Sequence, residues 1–137
     1  MEAKKVWFVT GASKGLGLTL VKKLLQNGFC VVATTRNPEL LTTEIGSTID
    51  VFLPLAVNLT DNNDVKIAIE KSIAHFGKID VVVNNAGYGQ IGTLEELTDE
   101  ETKEIFEVNV FGTLNAMFHF EEGYYPVVVK LGVSFII

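Results

Sequence analysis

Thr10-Gly11-Ala12-Ser13-Lys14-Gly15-Leu16-Gly17 follows the apolar run Val6 to Val9 and leads straight into a helical pattern. A strand, a glycine-rich turn and a helix in that order suit an anionic ligand. Glycines let backbone N–H groups approach the anion, and the start of the helix presents its positive end. The glycines at 11, 15 and 17 are spaced Gly-x-x-x-Gly-x-Gly and no Gly-Lys-Ser/Thr comes after them, so a dinucleotide pyrophosphate fits better than a nucleoside triphosphate. By itself a glycine trio is also compatible with a plain tight turn.

On either side of this turn the chain alternates strands with helices. Val6 to Thr10 reads as a strand, and Leu16, Leu20, Val21, Leu24 and Leu25 give the next helix an apolar stripe that Asn27-Gly28 ends. Phe29 to Thr35 is predicted as the second strand, Pro38 to Ile45 as a short helix closed by Gly46, and Ile49 to Val57 as the third strand. Asp61 caps a helix whose inner face carries Val65, Ile69, Ile73 and Phe76 and which stops at Gly77; Ile79 to Val83 makes the fourth strand. These strands are continuously apolar, as parallel strands covered on both faces are. The expected architecture is therefore α/β, a Rossmann-type doubly wound parallel sheet in three layers (αβα) with right-handed crossovers. Thr98 with Glu101 forms a capping box that opens a long helix through Glu104, Ile105, Val108 and Gly112. Gly123 and Pro126 interrupt the helical pattern, and Val133 to Ile137 reads as the start of a fifth strand. Residues 1–137 are thus expected to form a single, incomplete domain, truncated after about that strand.

With 47% hydrophobic and 20% charged residues, 137 positions suffice for one packed core without disulfides. A net charge of -6 with no Lys/Arg cluster argues against a nucleic-acid surface, since a phosphate backbone is repelled by it. The single cysteine, Cys30, lies in an apolar run and reads as a buried strand residue in a reducing compartment. Neither a signal-peptide core nor an apolar stretch of the ~18 residues a membrane span requires is present, which gives the expectation of a cytoplasmic protein. His75 and His119 stand far apart with no second ligand at metal spacing, so no metal site is expected. The acidic group Glu95, Glu96, Asp99, Glu100, Glu101 and Glu104 complements the dipole of a helix start and does not suggest paired-carboxylate hydrolysis.

Thr10 to Gly17, Asn84-Asn85-Ala86-Gly87 and Asn109, at these separations, resemble the short-chain dehydrogenase/reductase family. The resemblance implies a nicotinamide dinucleotide held by Gly11, Ser13, Lys14, Gly15, Leu16 and Gly17 at the turn, and by Asn85, Ala86 and Gly87 where the fourth strand closes. It puts Asn58 where family members carry an Asp that accepts a hydrogen bond from adenine; an amide oxygen accepts one too. It implies a backbone contact from Leu59, and for Asn109 a catalytic part, bending its helix and holding a water in a proton relay. As an interior helix Asn, Asn109 is equally readable as a satisfied core amide. Charge adds the choice of cofactor: Arg36 at the end of the second strand, with Lys14, favours the 2′-phosphate of NADP(H) over NAD(H), unless both are merely solvated surface cations.

The proton-donating half of the family's chemistry is not found. Tyr88, Tyr124 and Tyr125 are followed four residues later by Gly92, Val128 and Val129, so none opens a Tyr-x-x-x-Lys pair. Ser134 precedes the apolar end of the expected fifth strand, whereas the family's serine comes just after it. The implied function is an oxidoreductase moving hydride between the nicotinamide and a small alcohol or carbonyl substrate, with this chain alone expected to be inactive. The alternative is a non-catalytic dinucleotide-binding fragment or truncated gene product. The resemblance also implies a homo-oligomer.

Overall fold

Three runs of β-branched and aromatic residues lie side by side at the centre of the protein: β1 (Val6–Val9), β2 (Cys30–Thr35) and β4 (Val81–Asn84). The computed structural model describes residues 3–46, 50–86 and 95–116, and the backbone of 127–130. With β3 (Phe52–Ala56) and β5 (Val127–Lys130) the strands form one parallel sheet in the order β3-β2-β1-β4-β5. The connecting helices are α1 (Gly15–Gln26), α2 (Pro38–Ile45) and α3 (Asn62–Phe76). After β4 comes α4 (Asp99–Phe106), which passes directly into a π-helical segment, Glu107–Gly112, and returns to α-helix over residues 113–116. This is the Rossmann-like arrangement that the alternation of elements predicts.

The sheet is covered on both faces because successive strand residues point to opposite sides. Phe8, Val32 and Val82 pack with Val65, Ala68 and Ile69 of α3 and with Ala116. Their neighbours Val9, Val31, Ala33 and Val83 pack with Val21 and Leu24 of α1 and Leu41 of α2. Each of the Val, Leu, Ile and Phe side chains among them stabilises the fold by about 1.5–3 kcal/mol on full burial. β3 is the edge: its exposure rises from buried Phe52 to exposed Ala56, and it carries Pro54 opposite Ala33, a residue without an N–H that central strands do not accommodate.

Besides shifts of one or two residues at the ends of β1, β2 and β4, the structure departs from the sequence-based expectation in five places. The fifth strand is Val127–Lys130, in register with Val81–Asn84, and the expected Val133 to Ile137 lies outside the described residues. Three consecutive valines directly after Pro126 supply the β-branched run; proline is as natural a prelude to a strand as it is a helix breaker. Ser134 therefore comes after this strand in the sequence, and it too lies outside the described residues, as do Tyr88, His119, Tyr124 and Tyr125. β3 starts at Phe52, with Asp50 and Val51 in the turn before it. On α3 the fully buried positions are Val65, Ala68, Ile69 and Ser72, with Ile73 and Phe76 at the margin; the Ser72 hydroxyl is satisfied by donating to the Ala68 carbonyl at 2.7 Å. Leu16 is not part of the α1 stripe, being 71% exposed. Finally, the helical pattern through Gly112 is not regular α-helix: around Asn109, where the resemblance implies a bend, the six residues Glu107–Gly112 are π-helical.

Among the described residues no helix is long and apolar enough to cross a membrane, and no group of three or more His, Cys, Asp or Glu could hold a metal ion. Cys30 is a buried free thiol.

Candidate functional site

The carboxyl ends of β1 and β4, at the centre of the sheet, are tied together by Thr10. Its hydroxyl accepts from the backbone N–H of Asn85 at 3.1 Å and of Ala86 at 3.0 Å, while its own N–H donates to the Val83 carbonyl at 3.1 Å. Asn85 returns the tie by donating its side-chain amide to the Gly11 carbonyl at 3.0 Å. The turn then passes so close to this strand end that side chains are excluded from it. A Cβ on Gly11 (φ +63°) would lie 2.7 Å from the Ala86 Cα, and one on Gly17 would meet the Asn85 amide and the Gly11 carbonyl. Gly15 also has positive φ, +60°, but opens onto free space. The glycines thus have separate causes: 11 and 17 are contact positions, and 15 is a backbone-conformation position. Thr10 sits at the head of the glycine motif, yet nothing in the sequence pattern assigned it a role; its signal was a buried hydroxyl at a strand end.

The start of α1 differs from the other described helix starts. Asn37 caps α2 through Glu39 N–H, Asp61 caps α3 through Asn63 and Asp64 N–H, and Thr98 and Glu101 form the expected capping box on α4; all three carry an acid in the first turn. At α1 the cap residue is Lys14, no side chain takes up the first N–H groups, and no acid lies in the first turn. Four N–H donors and a partial positive charge are left without a side-chain anion. This is the donor set a pyrophosphate requires, so the residues present fit such a group.

A groove of about 360 Å³ runs past this helix start, lined by Gly11, Ser13, Lys14, Arg36, Leu59, Ala86 and others. A second, of about 670 Å³, shares Arg36, Thr60 and Val108 with it and adds Asn58, Glu104 and Glu107. The structure brings Gly11, Ser13, Lys14, Arg36, Leu59 and Ala86 to one groove, with Asn58 in the adjoining one. Gly17 and Asn85 lie behind its wall as packing and tethering residues, Gly15 stands at the mouth of the turn, and Gly87 lies outside the described residues. Leu16, next to Lys14 in the first turn of α1, is exposed and does not line either groove. Among the described residues the salt bridges are Lys22–Glu44 and Lys78–Asp80, leaving Lys14 and Arg36 unpaired.

Asn58 is more constrained than the sequence suggests. Its side-chain oxygen accepts from Thr60 N–H at 3.2 Å and from the Thr60 hydroxyl at 2.7 Å, and because a backbone N–H can only donate, the orientation of the amide is fixed. An adenine amino group competes with these two bonds for the same oxygen. Asn109 is 3% exposed within the π-helical segment, and its carbonyl accepts from the Thr113 hydroxyl at 3.1 Å. π-Turns of this kind recur at functional sites. Two residues to which the sequence assigned no site role stand against Leu59: Gly112, whose Cα side faces it, and Asn115, whose amide donates to the Leu59 carbonyl at 3.0 Å.

Comparison with known proteins agrees with this geometry. A family model for short chain dehydrogenases matches residues 5–122. The chain is 40% identical over 111 residues to the oxidoreductase BOA17 of Botryotinia fuckeliana, an alignment that takes in 80% of this chain and 40% of that protein. It superposes with a TM-score of 0.84 on 3-ketoacyl-(acyl-carrier-protein) reductase from Brucella melitensis complexed with NADH, at 29% identity over 94% of this chain and 57% of that one. With alcohol dehydrogenase from the archaeon Thermococcus sibiricus complexed with 5-hydroxy-NADP, the TM-score is 0.77 at 30% identity, covering 87% and 52%. The chain therefore spans about half the length of the proteins it matches, or less.

Proposed function

The chain belongs to the short-chain dehydrogenase family, and from that premise we propose that it serves an NADP(H)-dependent oxidoreductase, moving hydride between the nicotinamide and a small alcohol or carbonyl compound. The observation that carries the reading is the start of α1, with no side-chain cap and no acid in its first turn, opening into a groove flanked by two cations, Lys14 and Arg36, that form no salt bridge among the described residues. Its N–H groups and those of the Gly11–Gly17 turn hold the pyrophosphate; Leu59 and Ala86 line the path of the cofactor.

Similarity alone does not decide between the two cofactors, since one solved relative carries NADH and another an NADP derivative. The choice rests on charge. A 2′-phosphate gains charge-assisted hydrogen bonds from Arg36 and Lys14, and the Arg36 position lacks the acid that would favour a free 2′-hydroxyl. The bound nicotinamide supplies the hydride acceptor or donor. Asn109, buried in the π-helical segment, is the residue of this chain assigned to the proton relay. No Tyr-x-x-x-Lys pair occurs in these 137 residues, so cofactor binding is the property to measure on them, and turnover with carbonyl compounds is expected to be negligible. The reading is of a cytoplasmic protein, where the lone thiol of Cys30 stays reduced.

Titration of intrinsic or cofactor fluorescence with NADPH and NADH, on the unsubstituted chain and on Arg36→Asp, tests both parts. Arg36→Asp is expected to raise the Kd for NADPH about tenfold or more and that for NADH far less. Equal effects would defeat the 2′-phosphate assignment, and absence of binding by a cooperatively folded chain would defeat the dinucleotide reading.

A further inference from the structure

The segment Asn58-Leu59-Thr60, which joins β3 to α3, forms part of the wall of both grooves and is held from two directions. From its own side, Asn58 N–H donates to Asp64 at 2.8 Å, and Thr60 closes on the Asn58 side chain. From across the site, Asn115 donates its side-chain amide to the Leu59 carbonyl at 3.0 Å, a bond spanning 56 residues of sequence. The helix carrying Asn115 comes this close because Gly112, three residues earlier, has no side chain: a Cβ there would stand 3.1 Å from the Leu59 Cβ and 3.6 Å from its carbonyl oxygen. The same helix contributes Val108 to both grooves and holds Asn109 in its π-helical turn.

A surface loop would satisfy the Leu59 carbonyl with water, so stability alone does not call for a side chain from another element. We infer that Asn115 is a positioning residue for the adenosine end of the cofactor: with Gly112 it fixes the Leu59 segment against the helix of Asn109 and so sets the width of the groove that receives the adenosine. The inference rests on the dinucleotide reading above and adds a residue to it. Asn115 itself touches no cofactor atom; it acts through Leu59. Occupation of the adenosine groove thereby bears on the element that carries Asn109.

The test separates the two ends of the ligand. Adenosine 2′,5′-bisphosphate probes the adenosine end and reduced nicotinamide mononucleotide the other, each titrated calorimetrically against the unsubstituted chain, Asn115→Leu and Gly112→Ala, with thermal unfolding recorded for each. Asn115→Leu keeps the size of the side chain and removes the donor; Gly112→Ala keeps the donor and pushes against Leu59. Both are expected to weaken the bisphosphate about three- to tenfold and to leave the mononucleotide unchanged. If both probes weaken together, in step with a lower unfolding temperature, Asn115 is a structural residue only and the inference is overturned. Unchanged bisphosphate binding in folded Asn115→Leu also overturns it, and should that variant fail to fold, Gly112→Ala decides by the same split. Failure of the unsubstituted chain to bind either probe or NADPH would instead overturn the dinucleotide reading beneath it.

Discussion

The hydroxyl of Thr10 accepts two backbone N–H groups that belong to another strand, and this makes it the residue on which the shape of the turn most depends. Thr10→Val keeps the volume and the β-branch but orphans the part-buried Ala86 N–H, at a cost of about 1–3 kcal/mol, while Asn85 N–H keeps its second bond, to the Val83 carbonyl at 3.1 Å. Thermal unfolding of the variant should show a loss in that range, with Thr10→Ser close to the parent; a Val variant as stable as the parent would mean that water replaces the hydroxyl. The motif around Thr10 was legible as a glycine spacing, but its inner division of labour was not. Sequence cannot tell that Gly11 and Gly17 are set by contact with Ala86 and Asn85, about 70 positions away, while Gly15 meets only open space. Leu16 misled for the same reason: helical spacing assigned it to the core, whereas its place at the first turn leaves it exposed. Asn58 was read from the resemblance and from the accepting power of its amide oxygen, and the two bonds from Thr60 that occupy that oxygen are a matter of the local backbone.

At the scale of elements, the four α-helix starts among the described residues divide into three closed by their own side chains and one left open. An open start forgoes stability, since a good cap is worth about 0.5–2 kcal/mol. Lys14 already has the extended backbone of a cap residue, with φ -157° and ψ 171°, so Lys14→Asp should install a cap and an acid without rebuilding the turn. We expect the free protein to gain about 1 kcal/mol in a denaturant titration while its affinity for NADPH falls. A gain in stability with unchanged affinity would separate the helix start from the ligand. Capping residues and strand periodicity were readable because they are local, which is why α2, α3 and the start of α4 stand where the sequence put them. β5 was misplaced because the choice between Val127–Lys130 and a later run depends on which one aligns with Val81–Asn84, a long-range pairing no local pattern encodes. At Asn109 the helical spacing itself carries no sign of the π-helical turn; only the resemblance implied a bend there, and in the structure that helix meets Leu59.

At the scale of the molecule, the groove draws on the ends of β1, β2 and β3, the start of α1, the strand end at Ala86 and the helix bearing Val108. A ligand seated there touches elements on both faces of the sheet, so its binding energy is coupled to unfolding of the whole sheet and not to one loop. The order β3-β2-β1-β4-β5 creates this meeting place, because the chain leaves β1 toward β2 and β3 and returns to the opposite side at β4, opening a crevice beyond their carboxyl ends. The alternation of elements in the sequence is enough to foretell this much. NADPH at one hundred times its Kd should therefore add about 2.7 kcal/mol to the stability of the folded state, equivalent to roughly 10 °C in Tm for a chain of this size. The transition should move as one, with near- and far-ultraviolet circular dichroism reporting the same midpoint. A ligand that protected only the α1 turn would leave the two midpoints apart, and that outcome would show the groove to be a local site on one face rather than the junction through which the sheet is held together.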